Sequence, residues 1–486
     1  MNGLFILTTI FVYFGLLLLI SRVTAIKHSD NDAFFRGNRQ SPWYIVSFGM
    51  IGASLSGVTF VSVPGMPGNI DMTYMQTCMG FFVGYLIIAH VLLPLYYKLN
   101  LTSIYTYLGQ RIGHRSYKTG ASFFLVSKIL GAAARLYLVC MILQHYVFDA
   151  YNIPFFMTAV GTVFLIWLYT HKSGIRTIVW TDSLQTFCLL AALAIILYKV
   201  ADIQNLDISG MISTVAENEH SRMFVFDDWH SKQNFFKQFF SGIFITIVMT
   251  GLDQDMMQKN LSCRNLKEAQ KNMYCYGMSF VPVNLLFLAL GILLITTATN
   301  LGISLPERGD DILPMFAAEG YLGYSVLILF TIGIIAAAFS SADSALAALT
   351  TSFCIDIIDI EKYPKKKGEE IRKKAHFFIS AVFIVCILIF EYLNSPSVID
   401  TIYVLASYTY GPLLGLFCFG LFTRMRPRDK FVPYIAIVSP VLCYVIDYIT
   451  FKHTGYKFGY EMLMFNGFLT FAGLMALSVR HKSPQG

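Results

Sequence analysis

The sequence predicts an all-α polytopic membrane protein, and three observations support this fold class. Of its 486 residues, 56% are hydrophobic and only 13% are charged, whereas a soluble domain is about 25% charged. The apolar runs are about 20 residues long, which is the length that an α-helix needs to cross a bilayer. They are continuous rather than alternating, which argues against the strands of a transmembrane barrel. The excess apolar residues are therefore expected to face lipid as helices.

The apolar runs predict thirteen membrane-spanning helices. They lie at 3–22, 43–66, 72–97, 119–147, 152–170, 177–200, 235–253, 273–299, 321–353, 376–393, 398–422, 431–449 and 460–478. An odd number of spans puts the two termini on opposite sides of the membrane.

The lysines and arginines orient these spans, because cytoplasmic segments carry an excess of them. With the N-terminus outside, 27 of the 36 basic residues fall in cytoplasmic segments, and seven fall in outer segments. Lys128 and Arg135 lie within spans. We therefore expect a multi-pass protein of the plasma (inner) membrane, with its N-terminus outside and its C-terminus in the cytoplasm.

Several classes of function are disfavoured. The loops are too short for a soluble catalytic domain, and no GxxxxGK[ST] motif is present, so ATP-driven pumping is not expected. The nine cysteines include no CxxC pair and no zinc spacing, which fits small core residues. We expect no nucleic-acid partner and no organic cofactor. The function that these exclusions leave is transport driven by an ion gradient.

The second span is a poor helix for a segment that faces lipid. Ser54, Ser56 and Thr59 fall within six positions, and Gly52 and Gly57 loosen the backbone of the same segment. Secondary transporters use such interrupted helices near the midplane to bind substrate and cation. Close packing of helices through small residues is the alternative interpretation.

The ninth span carries two hydroxyls and a carboxylate within four residues, in the sequence Ser340-Ser341-Ala-Asp343, and Ser344 follows directly. A charge at the bilayer centre costs about 2.5–3.5 kcal/mol on insertion scales. A hard cation would neutralise the carboxylate, because such ions prefer oxygen ligands. A protonated Asp343, or an ion pair with Arg135 or Lys128, is the alternative.

Two further charged residues lie in spans. Asp182 is near the cytoplasmic start of the sixth span, where a carboxylate either complements the helix dipole or has a function. Arg135 lies well inside the fourth span, and a buried guanidinium binds carboxylates in a bidentate manner. It pairs either with an acid of the protein or with an anionic substrate.

The seventh and eleventh spans also contain interruptions. The seventh ends in Gly251-Leu-Asp253-Gln-Asp255, and the eleventh contains Gly411-Pro412. The breaks in spans two and seven lie five helices apart, as expected if five helices are repeated in inverted topology.

Seven motifs in this order resemble the solute:sodium symporter family, which includes sodium-coupled sugar, proline, pantothenate and sialic-acid carriers. They are DAFFRG at 32–37, LSGVTF at 55–60, TSIYTYL at 102–108, SGIRTIVWTD at 173–182, DQDMMQ at 253–258, SSADS at 340–344 and YGPLLG at 410–415.

The resemblance implies one transmembrane transporter domain over 1–486 with a LeuT-type core of two inverted five-helix repeats. The first repeat would span 43–200 and the second 235–422, with an extra N-terminal helix at 3–22 and two additional helices within 431–478.

The resemblance also implies cation sites. The sodium site of the family would match the carbonyls of Gly52, Leu55 and Ala337 and the hydroxyls of Ser340 and Ser341. Some members hold a second cation, and the matching residues here are Asp182, Ser340, Asp343 and Ser344. Asp343 replaces a hydroxyl of that second site, so the site binds sodium, binds a proton or is silent.

For the substrate, the resemblance implies contacts from Ser54, Ser56, Thr59 and Arg135. A glutamine expected in the third span is Cys78 here, with Gln76 nearby. Sodium–sugar carriers have a glutamine where this chain has Thr59, so a neutral hexose is disfavoured.

We therefore predict sodium-coupled import of a small polar solute, such as an acidic sugar of the sialic-acid type, by alternating access. The alternatives are a proton-coupled carrier of the same fold that uses Asp182 and Asp343, or a carrier of an amino acid, a vitamin or a neutral sugar.

Overall fold

The computed structural model describes residues 3–24, 39–170, 175–393 and 398–479. In this part of the chain the regular structure is helical, apart from two short antiparallel strands, β1 (Arg426–Pro427) and β2 (Ser478–Val479). The main helices, numbered in chain order, are α1 (Gly3–Thr24), α2 (Trp43–Ser54), α3 (Gly57–Gly65), α4 (Pro67–Lys98), α5 (Thr106–Arg111), α6 (His114–Leu143), α7 (Phe155–Thr170), α8 (Ile175–Ile203), α9 (Ile208–Ala216), α10 (Phe235–Gly251), α11 (Gln254–Leu261), α12 (Leu266–Leu301), α13 (Ile312–Ala318), α14 (Tyr324–Ile357), α15 (Lys365–Leu393), α16 (Val398–Thr409), α17 (Gly411–Phe422), α18 (Val432–Thr454) and α19 (Met462–Ala476).

Among the described residues, seven helices are long and apolar enough to cross a membrane by themselves: α4, α6, α8, α12, α14, α15 and α18. Shorter apolar helices of 10–17 residues lie within α1, α7 and α19. These helices coincide with runs predicted from the sequence, so the all-helical membrane fold is confirmed.

Three further candidate spans are bent pairs of helices. The bend is 54° between α2 and α3, 64° between α10 and α11, and 45° between α16 and α17. These are the second, seventh and eleventh predicted spans, so the interruptions expected there are confirmed.

Local chemistry explains the breaks. Leu55 leaves the helical region, with φ −78° and ψ 61°, after α2 has ended. Asp253 begins α11 as its N-cap, and its carboxylate accepts from the backbone N–H groups of Asp255 and Met256. At the third break, Pro412 occupies the first turn of α17, where a missing N–H costs nothing.

Helix α8 packs against both α2 and α14. At Gly49 a Cβ would lie 3.0 Å from Cβ of Asp182, and at Gly52 it would lie 2.0 Å from Oγ1 of Thr186. The glycines of α2 therefore let the two backbones approach closely. This packing brings Asp182 beside the first break.

The corner between α5 and α6 is bound to the end of α17 and to the segment that follows it. The guanidinium of Arg111 donates to the carbonyls of Gly420, Thr423 and Met425. The carboxylate of Asp429 accepts from the backbone N–H groups of Arg115 and Ser116, at 2.8 and 2.9 Å. It satisfies two donors in the first turn of α6 that have no partner within the helix.

Two expectations from the sequence were wrong in detail. Residues 254–261, assigned to a cytoplasmic segment, form the buried helix α11, so Lys259 is not a surface base. Hydropathy misses this helix because its polar side chains are buried against polar partners on other segments, as Lys259 is against Asp182 and Asp255 against Lys128. The tenth span, expected at 376–393, is the apolar end of a helix that begins at Lys365. The DAFFRG motif and the start of SGIRTIVWTD lie outside the described residues.

Candidate cation and solute site

A cavity of about 90 Å³ lies where the three bent pairs approach α6, α12 and α14. Its volume in this conformation is below the range of about 300–1,000 Å³ that is typical of small-molecule sites. Its polar lining consists of Ser54, Tyr85, Ser127, Lys128, Arg135, Thr246, Thr250, Asp253, Asp255, Tyr276, Ser341, Tyr403 and Tyr410. Two of the predicted substrate residues, Ser54 and Arg135, are among them.

The first break meets the middle of α14 at one wall of this cavity. The hydroxyl of Ser341 donates to the carbonyl oxygen of Ala53 at 3.4 Å. Because α2 ends at Ser54, its last carbonyls lack partners within the helix. Backbone carbonyls and serine hydroxyls therefore meet here, which are ligands suited to a hard cation.

The residues expected to form the sodium site surround this contact. Gly52 and Leu55 flank Ala53 and Ser54 at the end of α2, and Ala337 lies one turn before Ser341 on α14. Except for the half-buried Ser54, these residues and Ser340 are buried. The carbonyl of Ala53, which the sequence analysis did not include, belongs to the same group of oxygens.

Asp182 lies at the centre of a second polar cluster. Its Oδ1 accepts from the Ser340 hydroxyl at 2.7 Å, and its Oδ2 accepts from the Ser344 hydroxyl at 3.3 Å. Oδ2 also lies 2.8 Å from Nζ of Lys259, a side chain that is 1% exposed. The predicted grouping of Asp182 with Ser340 and Ser344 therefore includes an additional cation from the protein.

A third cluster joins the cavity wall to α11. The ammonium of Lys128 lies 3.1 Å from both carboxylate oxygens of Asp253 and 2.8 Å from Oδ2 of Asp255. Tyr410 donates to Oδ2 of Asp253 at 2.9 Å. Lys128, considered from the sequence as a partner for Asp343, thus pairs with the two acids at the second break.

Asp343 itself is fully buried on α14. Its Oδ1 accepts from the backbone N–H of Ser344 at 2.5 Å. The carboxylate is thereby turned toward the backbone of its own helix.

A chain of hydroxyls begins at the first break. Ser54 Oγ lies 2.5 Å from the hydroxyl oxygen of Tyr276, which lies 2.8 Å from that of Tyr85. All three side chains line the cavity. They form a polar wall that connects the first break to α4 and α12.

The other predicted substrate residues do not line the cavity. Ser56 caps α3 and Thr59 lies in its first turn, and both are buried. Gln76 binds the loop between α9 and α10 instead: its amide donates to the carbonyl of Gln233 at 2.8 Å and accepts from the backbone N–H of Val225 at 3.1 Å. Its other neighbour is the carbonyl of Thr73, at 3.2 Å.

Sequence reasoning missed Lys259, Lys128 and Tyr276 as members of these clusters. A signal for Lys259 was present, because Asp255 and Lys259 are four residues apart and so share a helix face. Tyr276 lies in an apolar helix, and no local pattern distinguishes it from the chain's other tyrosines.

Comparisons with known proteins agree with this arrangement. The model of the sodium:solute symporter family matches residues 34–428. The chain is 26% identical over 447 residues to the sodium/sialic acid symporter NanT of Aliivibrio fischeri, covering 89% of this chain and 86% of that protein. It is 25% identical over 427 residues to the sodium/sialic acid symporter SiaT of Proteus mirabilis, covering 85% and 84%.

The fold is that of a solved transporter structure. A Na⁺-coupled sialic acid symporter in its substrate-bound, outward-open state matches with a TM-score of 0.82 and 20% identity over 97% of each chain. At this identity the match concerns the fold alone. With the family match over most of the chain, it follows that this chain belongs to the sodium:solute symporter family and is a sodium-coupled membrane transporter, not an enzyme.

Proposed function

We propose that this symporter imports an acidic sugar of the sialic-acid type together with sodium, by alternating access. The observation that carries the choice of solute is the position of Arg135 in the cavity wall. In the part of the chain that the structure describes, no carboxylate lies within ion-pair distance of its guanidinium. A carboxylate of the solute is the partner that suits it, because guanidinium groups bind carboxylates through two parallel hydrogen bonds.

The surroundings of Arg135 support an anionic and hydroxylated solute. The other base of the cavity, Lys128, is already neutralised by Asp253 and Asp255. The wall formed by Ser54 and Tyr276 offers hydroxyls for a sugar. The two curated relatives reported above are sodium/sialic acid symporters.

Ser56 and Thr59 are proposed to contribute to binding the carboxylate. They are the N-cap and a first-turn residue of α3, where the backbone N–H groups and the helix dipole favour an anion. Gln76 is proposed to act indirectly, by fixing the loop between α9 and α10 over this region.

We propose that the coupling sodium ion binds at the first break. The carbonyls of Gly52 and Leu55, together with Ala53, and the carbonyl of Ala337 would supply oxygen ligands with the hydroxyls of Ser340 and Ser341. The contact of 3.4 Å between Ser341 and Ala53 supports this, because it brings the two ligand-bearing segments together.

The proposed topology has thirteen spans in one transporter domain, with the N-terminus outside and the C-terminus in the cytoplasm of a plasma-membrane protein. Residues 43–200 and 235–422 would be the inverted repeats. Bends of 54° and 64° in the first span of each proposed repeat support this division. The helix at 3–22 and the two within 431–478 would lie outside the repeats.

The membrane potential alone would drive substantial accumulation. Each positive charge that enters with the potential gains about 2.3 kcal/mol per 100 mV. Because 1.4 kcal/mol corresponds to a factor of ten, a net movement of one charge would sustain roughly fifty-fold accumulation.

Uptake of radiolabelled sialic acid into proteoliposomes tests the proposal. We expect uptake that requires an inward sodium gradient and is lost when potassium replaces sodium. Arg135→Gln should abolish it, whereas Arg264→Gln, at an exposed position, should leave it intact. Uptake that follows a proton gradient and ignores sodium would contradict the proposal, and so would full activity of the Arg135 variant.

A further inference from the structure

We propose that the ammonium group of Lys259 takes the place of a second sodium ion, so that the protein binds one sodium ion only. The inference rests on the proposed function, since it takes the break at the end of α2 as the place where that one ion binds. It concerns the second cation site, around Asp182, that the resemblance implied.

The distances place the lysine in that second site. Nζ of Lys259 is 2.8 Å from Oδ2 of Asp182, and the two side chains are 1% and 0% exposed. Ser340 and Ser344 direct their hydroxyls at the same carboxylate, at 2.7 and 3.3 Å. The lysine thus binds the carboxylate from which a second sodium ion would take its strongest electrostatic attraction.

The carboxylate of Asp182 has partners on both oxygens. Oδ1 accepts a hydrogen bond from Ser340. It also lies 3.2 Å from the side-chain nitrogen of Gln185 when the amide of Gln185 is oriented so that both its oxygen and its nitrogen have suitable partners. Oδ2 is shared by Ser344 and the ammonium of Lys259. A sodium ion would have to displace one of these groups in order to reach the acid.

Electrostatics makes that displacement unfavourable. Lys259 carries the same charge as sodium, and two like charges a few ångströms apart in a buried site repel strongly. A tethered ammonium also loses no translational freedom when it occupies the site, whereas a free ion does. The cation supplied by the chain should therefore exclude the soluble one.

Further contacts keep the ammonium in place. Lys259 is 3.6 Å from Oδ1 of Asp255, and Oδ2 of Asp255 is 2.8 Å from Lys128. Lys128 in turn contacts Asp253. The lysine is therefore one link in a buried series of alternating charges that runs from the cavity wall to α8.

The first site is not blocked by this arrangement. Ser341, which contacts Ala53, lies on the cavity side of α14. The hydroxyl of Ser340 donates a hydrogen bond to Asp182. Its oxygen still has two lone pairs that can coordinate a sodium ion. One site can therefore hold sodium while the other holds the lysine.

Equilibrium binding of radioactive sodium to the purified full-length protein counts the sites without any solute. We expect one sodium ion per unaltered chain and one for Lys259→Arg, which keeps the charge. Lys259→Met removes the ammonium and leaves Asp182 free to attract sodium, so we expect two ions. The double variant Lys259→Met/Asp182→Asn removes both charges and should return to one.

A Ser341→Ala variant separates the two sites. It should reduce the number of sodium ions bound per chain from one to none in the otherwise unaltered protein, and from two to one in the Lys259→Met variant. Two sodium ions bound to the unaltered protein would overturn the inference while leaving the proposed function intact. No saturable sodium binding to the unaltered protein would overturn both. Because the count on the unaltered protein needs no variant, the inference stays testable even if Lys259→Met does not fold.

Discussion

Gly52 and Thr186 are in direct contact where α2 meets α8, and a Cβ at Gly52 would lie 2.0 Å from Oγ1 and 2.9 Å from Cβ of Thr186. Real side chains do not approach this closely, so only glycine fits at this position. The contact fixes the end of α2, and with it the carbonyls of the first break, relative to the helix that carries Asp182.

Gly52→Ala should therefore destabilise the protein and weaken sodium binding. Overpacking of this kind costs about 1–3 kcal/mol, and the shift of α2 should move the carbonyls at the break. Thermal unfolding and sodium titration of the purified protein measure the two effects. Gly161→Ala is the matched control, because a Cβ there meets nothing within 4 Å. Equal stability of the two variants would contradict the explanation.

Ser341→Ala should abolish the stimulation of uptake by sodium. The variant removes a hydroxyl ligand from the proposed first site but keeps the helix intact. We expect a fall in apparent sodium affinity of at least about tenfold, which corresponds to about 1.4 kcal/mol. Ser279→Ala serves as the control, because this serine is half-buried and its hydroxyl donates to the carbonyl of Cys275 in its own helix. An unchanged sodium dependence of uptake would exclude Ser341 from the site.

Lys128→Met should destabilise the protein by about 3–5 kcal/mol, because it leaves two buried aspartates without their principal counter-ion. Adding Asp253→Asn should recover part of the loss, since it removes one of the unpaired charges. Lys199→Met is the control, because its ion pair with Asp202 is largely exposed and such pairs contribute about 0–1 kcal/mol. Additive effects of the two buried substitutions would contradict the ion-pair interpretation.

Gln76→Ala should loosen the loop between α9 and α10 without changing the number of bound sodium ions. The substitution leaves the buried N–H of Val225 without its partner, which costs about 1–3 kcal/mol locally. Hydrogen exchange and proteolysis within residues 201–234 should both increase. Gln110→Ala, at an exposed position, should change neither. A loss of solute affinity with no change in loop exchange would instead make Gln76 a direct substrate ligand.

Much of the helical architecture could be predicted because long apolar runs and small polar interruptions are local signals. Gly52, Ser54 and Ser56 mark the first break, and Gly411 and Pro412 mark the third. The partners within the site could not be predicted in the same way. Asp182, Ser340 and Lys259 come from three distant segments, and only the close packing of α8, α11 and α14 brings them together.

The error at Lys259 has a clear physical origin. A count of basic residues assigns a lysine near an interruption to the cytoplasmic side, because an isolated ammonium is costly to bury. The cost disappears when acids from other helices surround it, as Asp182 and Asp255 do here. The contacts of Gln76 could not be predicted for a related reason, since the loop that satisfies its amide lies about 150 positions away in the sequence.

The anchoring of Arg111 to three carbonyls at and beyond the end of α17, and of Asp429 to the first turn of α6, has a mechanical consequence. Two segments about 300 positions apart in the chain are joined by hydrogen bonds at one end of the bundle. Any rocking that exposes the cavity to one side must carry α6 and the α17–α18 junction together. Arg135, on α6, would then move together with this junction.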